Sequence, residues 1–591
     1  MKASICALLL ALAAGLFGPP GIVSARAATA SSHADAALLA LADDYFDNVY
    51  LPSGPTNATA LGIHRYDAKL DDFTRAGVAR QIRDQRRYLQ KFEATDAAAL
   101  SDQVRADREL LLSNIRSSLL MLEITRPLER DPDSYPSGIS ASAFSLMERA
   151  FAPADERLRL LVARERQMPA ALAAARTNLR NPPEVYTRIA AQQLPGIISF
   201  FDRDLPAAFA DAHDAAVLAQ FRAANAAVVT ALRDYETWLN KSLLPRSHGD
   251  FRLGAKAFMA KLAAEEMVDI PLDRLLEIGM ANLHRNQREF ARVAHEMEPD
   301  KTPQQVLAEI AAGHPRPADL LDTFRGTLAG LVQFIEQNHI VTIPSTVPPI
   351  LHETPPFMRA TTSASMDTPG PFESAAHEAY FNVTLPDPAW DAARTDGFMD
   401  AFSYPVITST AIHEAYPGHY VQFLWMQHVD DRVRKLLGAS SNAEGWAHYC
   451  EQMMLDEGYG APGAGAADAR AASLLRLGQL QDALLRNARF IVGIRLHTEN
   501  MSLEEAMDFF VREGYQPRQT AEMETKRGTS NPTYLYYTLG KLQIQKLRAD
   551  VEAREGKAFR LQDFHDRFLQ QGYPPIKLVR RAFLHDDSPT L

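Results

Sequence analysis

Residues 104–122 read VRADRELLLSNIRSSLLML, and their spacing decides the class of fold. Val104, Leu111, Ile115, Leu119 and Leu122 recur at intervals of seven, four, four and three, the period of one helix face packed on a core. The pattern stays helical almost throughout from Asp35 to about Ile340. A further stripe opens at Pro271, a favourable first helical residue, and continues through Leu272, Leu275, Gly279, Leu283 and Phe290. Ser502-Leu503-Glu504-Glu505 is a capping box, in which the serine accepts from the third backbone N–H and Glu505 reaches back. There is no internal repeat.

Seven prolines between Pro344 and Pro371 interrupt the helices. Proline fits neither helix interiors nor central strands, so residues 344–371 are expected to run extended across the surface as a connector. Tyr380-Phe381-Asn382-Val383-Thr384-Leu385 then reads as a strand ended by Pro386. Helices return from about Ser409, with a turn at Gly458 to Gly463. The expected architecture is mostly α: an N-terminal helical lobe over about 35–340, a second helical lobe over about 380–585, and a small β element near the cleft between them.

The 591 residues are 46% hydrophobic and 23% charged, with 62 basic against 73 acidic side chains. That composition supports a large core and excludes disordered, collagen-like and disulfide-framework classes. The net charge of −11 argues against nucleic-acid binding and against docking on an anionic membrane. Lys2, the apolar run Ile5 to Phe17 and the small residues around Ala25 and Ala27 form a secretory signal peptide, residues 1–27, placing the mature protein in the periplasm or outside the cell. No later stretch of about 18 apolar residues is expected to span a membrane. Cleavage removes Cys6 and leaves Cys450 alone, so a metal or catalytic centre must rest on His, Asp and Glu.

Such residues gather at His413-Glu414-Ala415-Tyr416-Pro417-Gly418-His419. In the zincin pattern H-E-x-x-H the two imidazoles share a helix face and one Zn²⁺, while the Glu activates water. Here the spacing is six, about 240° around a regular helix, which would turn His419 away. Pro417 has no N–H for the His413 carbonyl, and with Gly418 beside it a kink or bulge is expected to bring His419 back. Twenty-five residues on, Glu444 supplies a third ligand. Glu444, His448, Glu451 and Leu455 follow at four, three and four on one helix face, so Glu451 can orient a ligating imidazole and His448 is the rival second imidazole. His377-Glu378 repeats the first letters of the motif without a following His and reads as structural.

At these residues the chain resembles the bacterial "domain of unknown function 885" proteins, relatives of the gluzincin metallopeptidases. The matching pieces are the His413 to His419 segment, Glu444-Gly445-Trp446-Ala447 and Pro532-Thr533-Tyr534-Leu535-Tyr536-Tyr537-Thr538-Leu539-Gly540-Lys541. Leu61-Gly62-Ile63-His64-Arg65-Tyr66-Asp67 and Phe564-His565 extend the match over most of the chain. Through the wider group it is similar to thimet oligopeptidase, carboxypeptidase Taq and angiotensin-converting enzyme, deep-clefted helical peptidases. The resemblance implies a Zn²⁺ cofactor on His413, His419 and Glu444, with Glu414 as general base. It further implies Tyr537 and His497 as donors to the oxyanion, and Arg527 as an anchor for a substrate carboxylate or a brace. Tyr534 is a candidate for touching substrate; Trp446 and Cys450 read as packing.

The expected activity is zinc-dependent hydrolysis of peptide amides, with the Tyr380 to Leu385 strand offering its edge to an extended substrate. Two alternatives share the residues: a periplasmic scaffold that binds peptides or cell-wall fragments without turnover, and an amidase acting on non-peptide substrates.

Overall fold

Ser101 starts the helix that the opening stripe requires, its hydroxyl accepting from the Val104 N–H at 3.5 Å. Helix α1 runs Asp102–Leu120 and buries Val104, Leu111, Ile115 and Leu119. Leu122 falls in the wide turn beyond it, Met121–Thr125. The computed structural model describes residues 21–355, 358–359 and 362–591. Residues 1–20 of the expected signal peptide lie outside the described residues.

Other helices carrying the cores are α2 (Ser134–Met147), α3 (Ala215–Trp238) and α4 (Leu272–Met297). The run Ala215–Arg246 is, contrary to expectation, long and apolar enough to cross a membrane by length and composition. In the fold, Val217, Phe221, Val228 and Leu232 of α3 are buried in a core with Tyr135, Ile139, Leu158 and Leu161. Pro271 stands just before α4, and Leu275, Gly279, Leu283 and Phe290 are buried along it. Gly279 lies against the Phe490 ring, where a Cβ would meet ring carbon at 2.7 Å.

A three-stranded sheet follows, made of β1 (Ile350–Glu353), β2 (Ala364–Asp367) and β3 (Tyr380–Val383). Its order is β1-β3-β2, with β1 parallel and β2 antiparallel to β3. Two expectations are corrected here. The proline-rich segment is not merely an extended connector, because β1 and β2 form between its prolines. The Tyr380 strand is central, both of its edges already paired, so it has none left for a substrate; the free edge beside the site belongs to β2.

The helices that build the candidate site are α5 (Tyr404–Glu414), α6 (His419–Met426), α7 (Ser440–Asp456), α8 (Ala469–Thr498), α9 (Arg518–Ser530) and α10 (Tyr536–Glu555). The capping box at Ser502 forms as read, with N–H to oxygen distances of 3.2 and 2.8 Å. Leu283 and Phe290 of α4 share one core with Leu484 and Ile491 of α8, so the boundary expected near residue 340 does not divide the packing of these helices.

Candidate metal centre

The His413 to His419 segment escapes the regular-helix geometry by ending one helix and starting another. α5 stops at Glu414, the Tyr416–Pro417 peptide is cis, and α6 begins at His419. Gly418 N–H bonds the Ile412 carbonyl at 3.0 Å, and a Cβ on Gly418 would collide with the His413 and Ile412 carbonyls. Only glycine therefore fits so close to the end of α5. Trp446 of α7 donates to the Pro417 carbonyl at 3.0 Å and pins the turn. The expected kink is thus a break between two helices, and its effect is the anticipated one: the two imidazoles face each other, ring centroids 4.9 Å apart and nearly perpendicular.

α7 brings the carboxylates. It packs on α10 through paired glycines; a Cβ on Gly445 would lie 2.6 Å from Gly540 Cα. Glu444 Oε2 sits 3.4 Å from His413 Nε2 and 3.4 Å from His419 Nε2. One ligand atom from each of the three residues lies within 4.8 Å of the others. Ligands about 2.0–2.1 Å from a tetrahedral Zn²⁺ lie roughly 3.4 Å from one another, so the donor set has the spacing of ligands around such an ion. Glu444 Oε2 is buried without a hydrogen-bond donor, as an atom reserved for a cation would be.

Around these three the charges are arranged in depth. Glu451 Oε1 bonds His413 Nδ1 at 2.7 Å and leaves Nε2 to face Glu444, while Arg486 of α8 lies 3.0 Å from the same oxygen. Burial opposes charge on His413 and Arg486 repels it, yet Glu444 and Glu451 outweigh both and raise the imidazole to about 9. Burial would raise the Glu444 and Glu451 carboxyls, but the imidazoles and, at Glu451, foremost Arg486 hold them well below the carboxylate range. A site carrying this much anionic character with imidazole nitrogens directed inward suits a borderline-soft divalent cation.

Glu414 accepts from the Met366 N–H of β2 at 3.0 Å, and burial raises its carboxyl. Tyr537 of α10 donates to Glu444 Oε1 at 3.1 Å and accepts from Arg527 of α9 at 2.9 Å. The Arg489 guanidinium, paired with Glu524 through two 2.7 Å bonds, lies 5.0 Å from the Tyr537 ring centroid. Arg486, Arg489 and the Met366 N–H were not anticipated. No local motif marks them, since each acquires its role from residues distant in the chain.

Three anticipated residues stand elsewhere. His448 is fully buried, its Nδ1 bonded to Glu451 at 3.0 Å and its pKa pushed down to about 3 by burial; it belongs behind His413 and not among the ligand group. His497, expected at the oxyanion, bonds the Gly528 carbonyl at 2.8 Å beside Phe251 and Phe258. It lies eleven residues past Arg486 on α8, about 16 Å along the axis. Burial pushes it down to about 4, and it is a neutral core imidazole. Tyr534 is fully buried in the core shared by α4 and α8 and touches no open surface through which substrate could reach it. The control pair His377 and Glu378 is exposed just before β3.

Residues 55–583 match the sequence family described as "Bacterial protein of unknown function (DUF885)". The chain belongs to that family. No curated protein matches it. Among solved structures it is similar to a "putative lipoprotein of unknown function from Shewanella oneidensis", with 26% identity, TM-score 0.74, and coverage of 93% of this chain and 98% of that one. The "putative lipoprotein from Colwellia psychrerythraea" shares the fold at 16% identity and TM-score 0.78, over 93% and 99% of the two chains. These likenesses cover nearly the whole chain and name no activity.

Proposed function

We propose that this DUF885 protein is a zinc-dependent hydrolase of peptide amide bonds, with His413, His419 and Glu444 as the metal ligands. The observation that carries the reading is the 3.4 Å spacing of both Nε2 atoms from one unpartnered carboxylate oxygen, directly beside Glu414. When bound, Zn²⁺ supplies Lewis acidity to a water and to a scissile carbonyl. Glu414 takes the proton from the attacking water and delivers it to the leaving amine, one of its oxygens being held by the Met366 N–H. Tyr537, released from Glu444, donates its O–H to the developing oxyanion, a contribution worth about 10²–10³ in rate for one good donor. Arg527 steers that hydroxyl through its 2.9 Å bond. The lipoprotein description of the Shewanella oneidensis neighbour, together with the N-terminal sequence, supports action outside the cytoplasm.

Zinc-loaded protein incubated with a mixed peptide pool tests the reading. New peptide termini that appear with wild type and not with Glu414→Gln, at equal zinc content, support it. Intact peptides beside retained peptide binding would establish the scaffold instead, and hydrolysis confined to non-peptide amides would establish the amidase.

A further inference from the structure

A cavity of about 570 Å³ lies beside β2. Its volume falls in the range of ligand pockets, about 300–1,000 Å³. Ser365, Met366 and Asp367 of β2 form one wall, and Met366 is the residue whose N–H holds Glu414. α2 forms the opposite wall through Ser137, Ser140 and Ala141. The cavity therefore shares a strand with the reacting centre, and an extended peptide chain lying along β2 would meet both.

The charges lining it are unbalanced in one direction. Arg149 bonds Glu148 at 3.1 Å and Asp367 at 2.6 Å, so one guanidinium serves two carboxylates. At the other end His64 stands between Asp67 and Glu373, 2.9 Å from each. Glu373 lines the cavity and also accepts from the Ala375 and Ala376 N–H groups, while Asp67 behind it is shared with the buried Arg164 at 3.9 Å. The excess therefore lies at Glu148 and Asp367, which share Arg149 and whose side chains are 14% and 28% exposed. Burial raises Glu148 to about 7 despite Arg149, the behaviour of a carboxylate short of positive charge. Ser365 Oγ is buried without a partner in the same wall.

We propose that this cavity is a specificity pocket for a cationic nitrogen of the substrate, either a peptide's free α-ammonium or a basic side chain. The inference rests on the peptidase reading and adds the substrate class: peptides carrying a positive charge near the bond to be cleaved. A bound ammonium or guanidinium would balance Glu148 and Asp367 beside Arg149 and donate to Ser365 Oγ.

Binding and cleavage are measured separately. Zinc-loaded Glu414→Gln protein is titrated, by fluorescence anisotropy, with labelled short alanine-rich peptides. One carries a lysine moved through each position, one carries norleucine there, and each is made with a free and an acetylated amino terminus. Removing the relevant charge is expected to weaken binding at least about tenfold. Sensitivity to acetylation assigns the pocket to the α-ammonium; sensitivity to norleucine assigns it to a side chain. The preference should fall to within about twofold when Glu148→Gln and Asp367→Asn are added, and Ala141→Trp, from an exposed helix position, should block the pocket with the fold intact. Equal binding of all peptides, or a preference unchanged in these variants, overturns the proposal. Cleavage by wild type is scored in parallel: charge-selective binding without any cleavage would remove the peptidase reading alone, and cleavage indifferent to charge would remove the pocket alone.

Discussion

Two buried carboxylates, Glu165 in the N-terminal half and Glu451 beside the metal centre, behave oppositely. In the N-terminal half, Glu165 is fully buried with the Asn225 amide at 3.0 Å, and burial raises its carboxyl to about 8. Asp131 rises to about 7 for the same reason. Around the metal centre, Glu451 is equally buried, yet Arg486, His413 and His448 stand within 3.0 Å and hold it ionised. Glu524 is likewise held down against burial by Arg489. Burial without a cationic partner thus raises Glu165, whereas at Glu451 Arg486 and the two imidazole contacts outweigh the same burial and fix the carboxylate in place.

That contrast can be broken by substitution, beginning with the largest effect. Glu414→Gln should lower peptide turnover by about 10²–10⁴ with zinc content unchanged, read from product formation and metal analysis side by side. Tyr537→Phe should cost about 10²–10³ in kcat with little change in KM, because its hydroxyl is proposed to act on the oxyanion; a change confined to KM would place it in substrate binding. Glu451→Gln should weaken zinc affinity about 10–100-fold, measured by competition with a chelator, since His413 loses the anion that orients it. Zinc affinity left intact would mean that the charged layer behind the ligands has no bearing on the metal.

The smallest effect belongs to the other half. Glu165 has a folded pKa near 8, above its ordinary 4.5. The protonated carboxyl therefore contributes stability fully present below about 4.5 and lost as pH rises through 8. Glu165→Gln keeps an amide oxygen for Asn225 and removes the titration. Its stability should match wild type near pH 4.5 and exceed it by about 1–3 kcal/mol at pH 9, read from denaturant unfolding at the two pH values. A parallel pair of curves would show that Glu165 is compensated in a way its neighbours do not suggest.

Much of this was legible in the chain itself. The stripe at Val104 to Leu119, the capping box at Ser502 and the strand at Tyr380 all form, because each depends on residues within a turn or two. Glu444 and Glu451 share a face of α7 for the same reason, which is why both reach His413. His497 was misplaced: resemblance supplied a role, but a histidine in an apolar helix is most simply a core residue bonded to a carbonyl. The sheet was misread because strand order depends on pairing between segments, and prolines limit where a strand can be without deciding which strand is central.

By itself the sequence determined the helices, their caps and buried faces, and the break that Pro417 and Gly418 impose, since these follow from local sterics and hydrogen bonding. Only the tertiary structure decided which polar groups meet: Glu451 with His413 across 38 residues, and Met366 with Glu414 across 48. Such meetings are set by how helices and strands pack, and packing is a property of all the buried surfaces together.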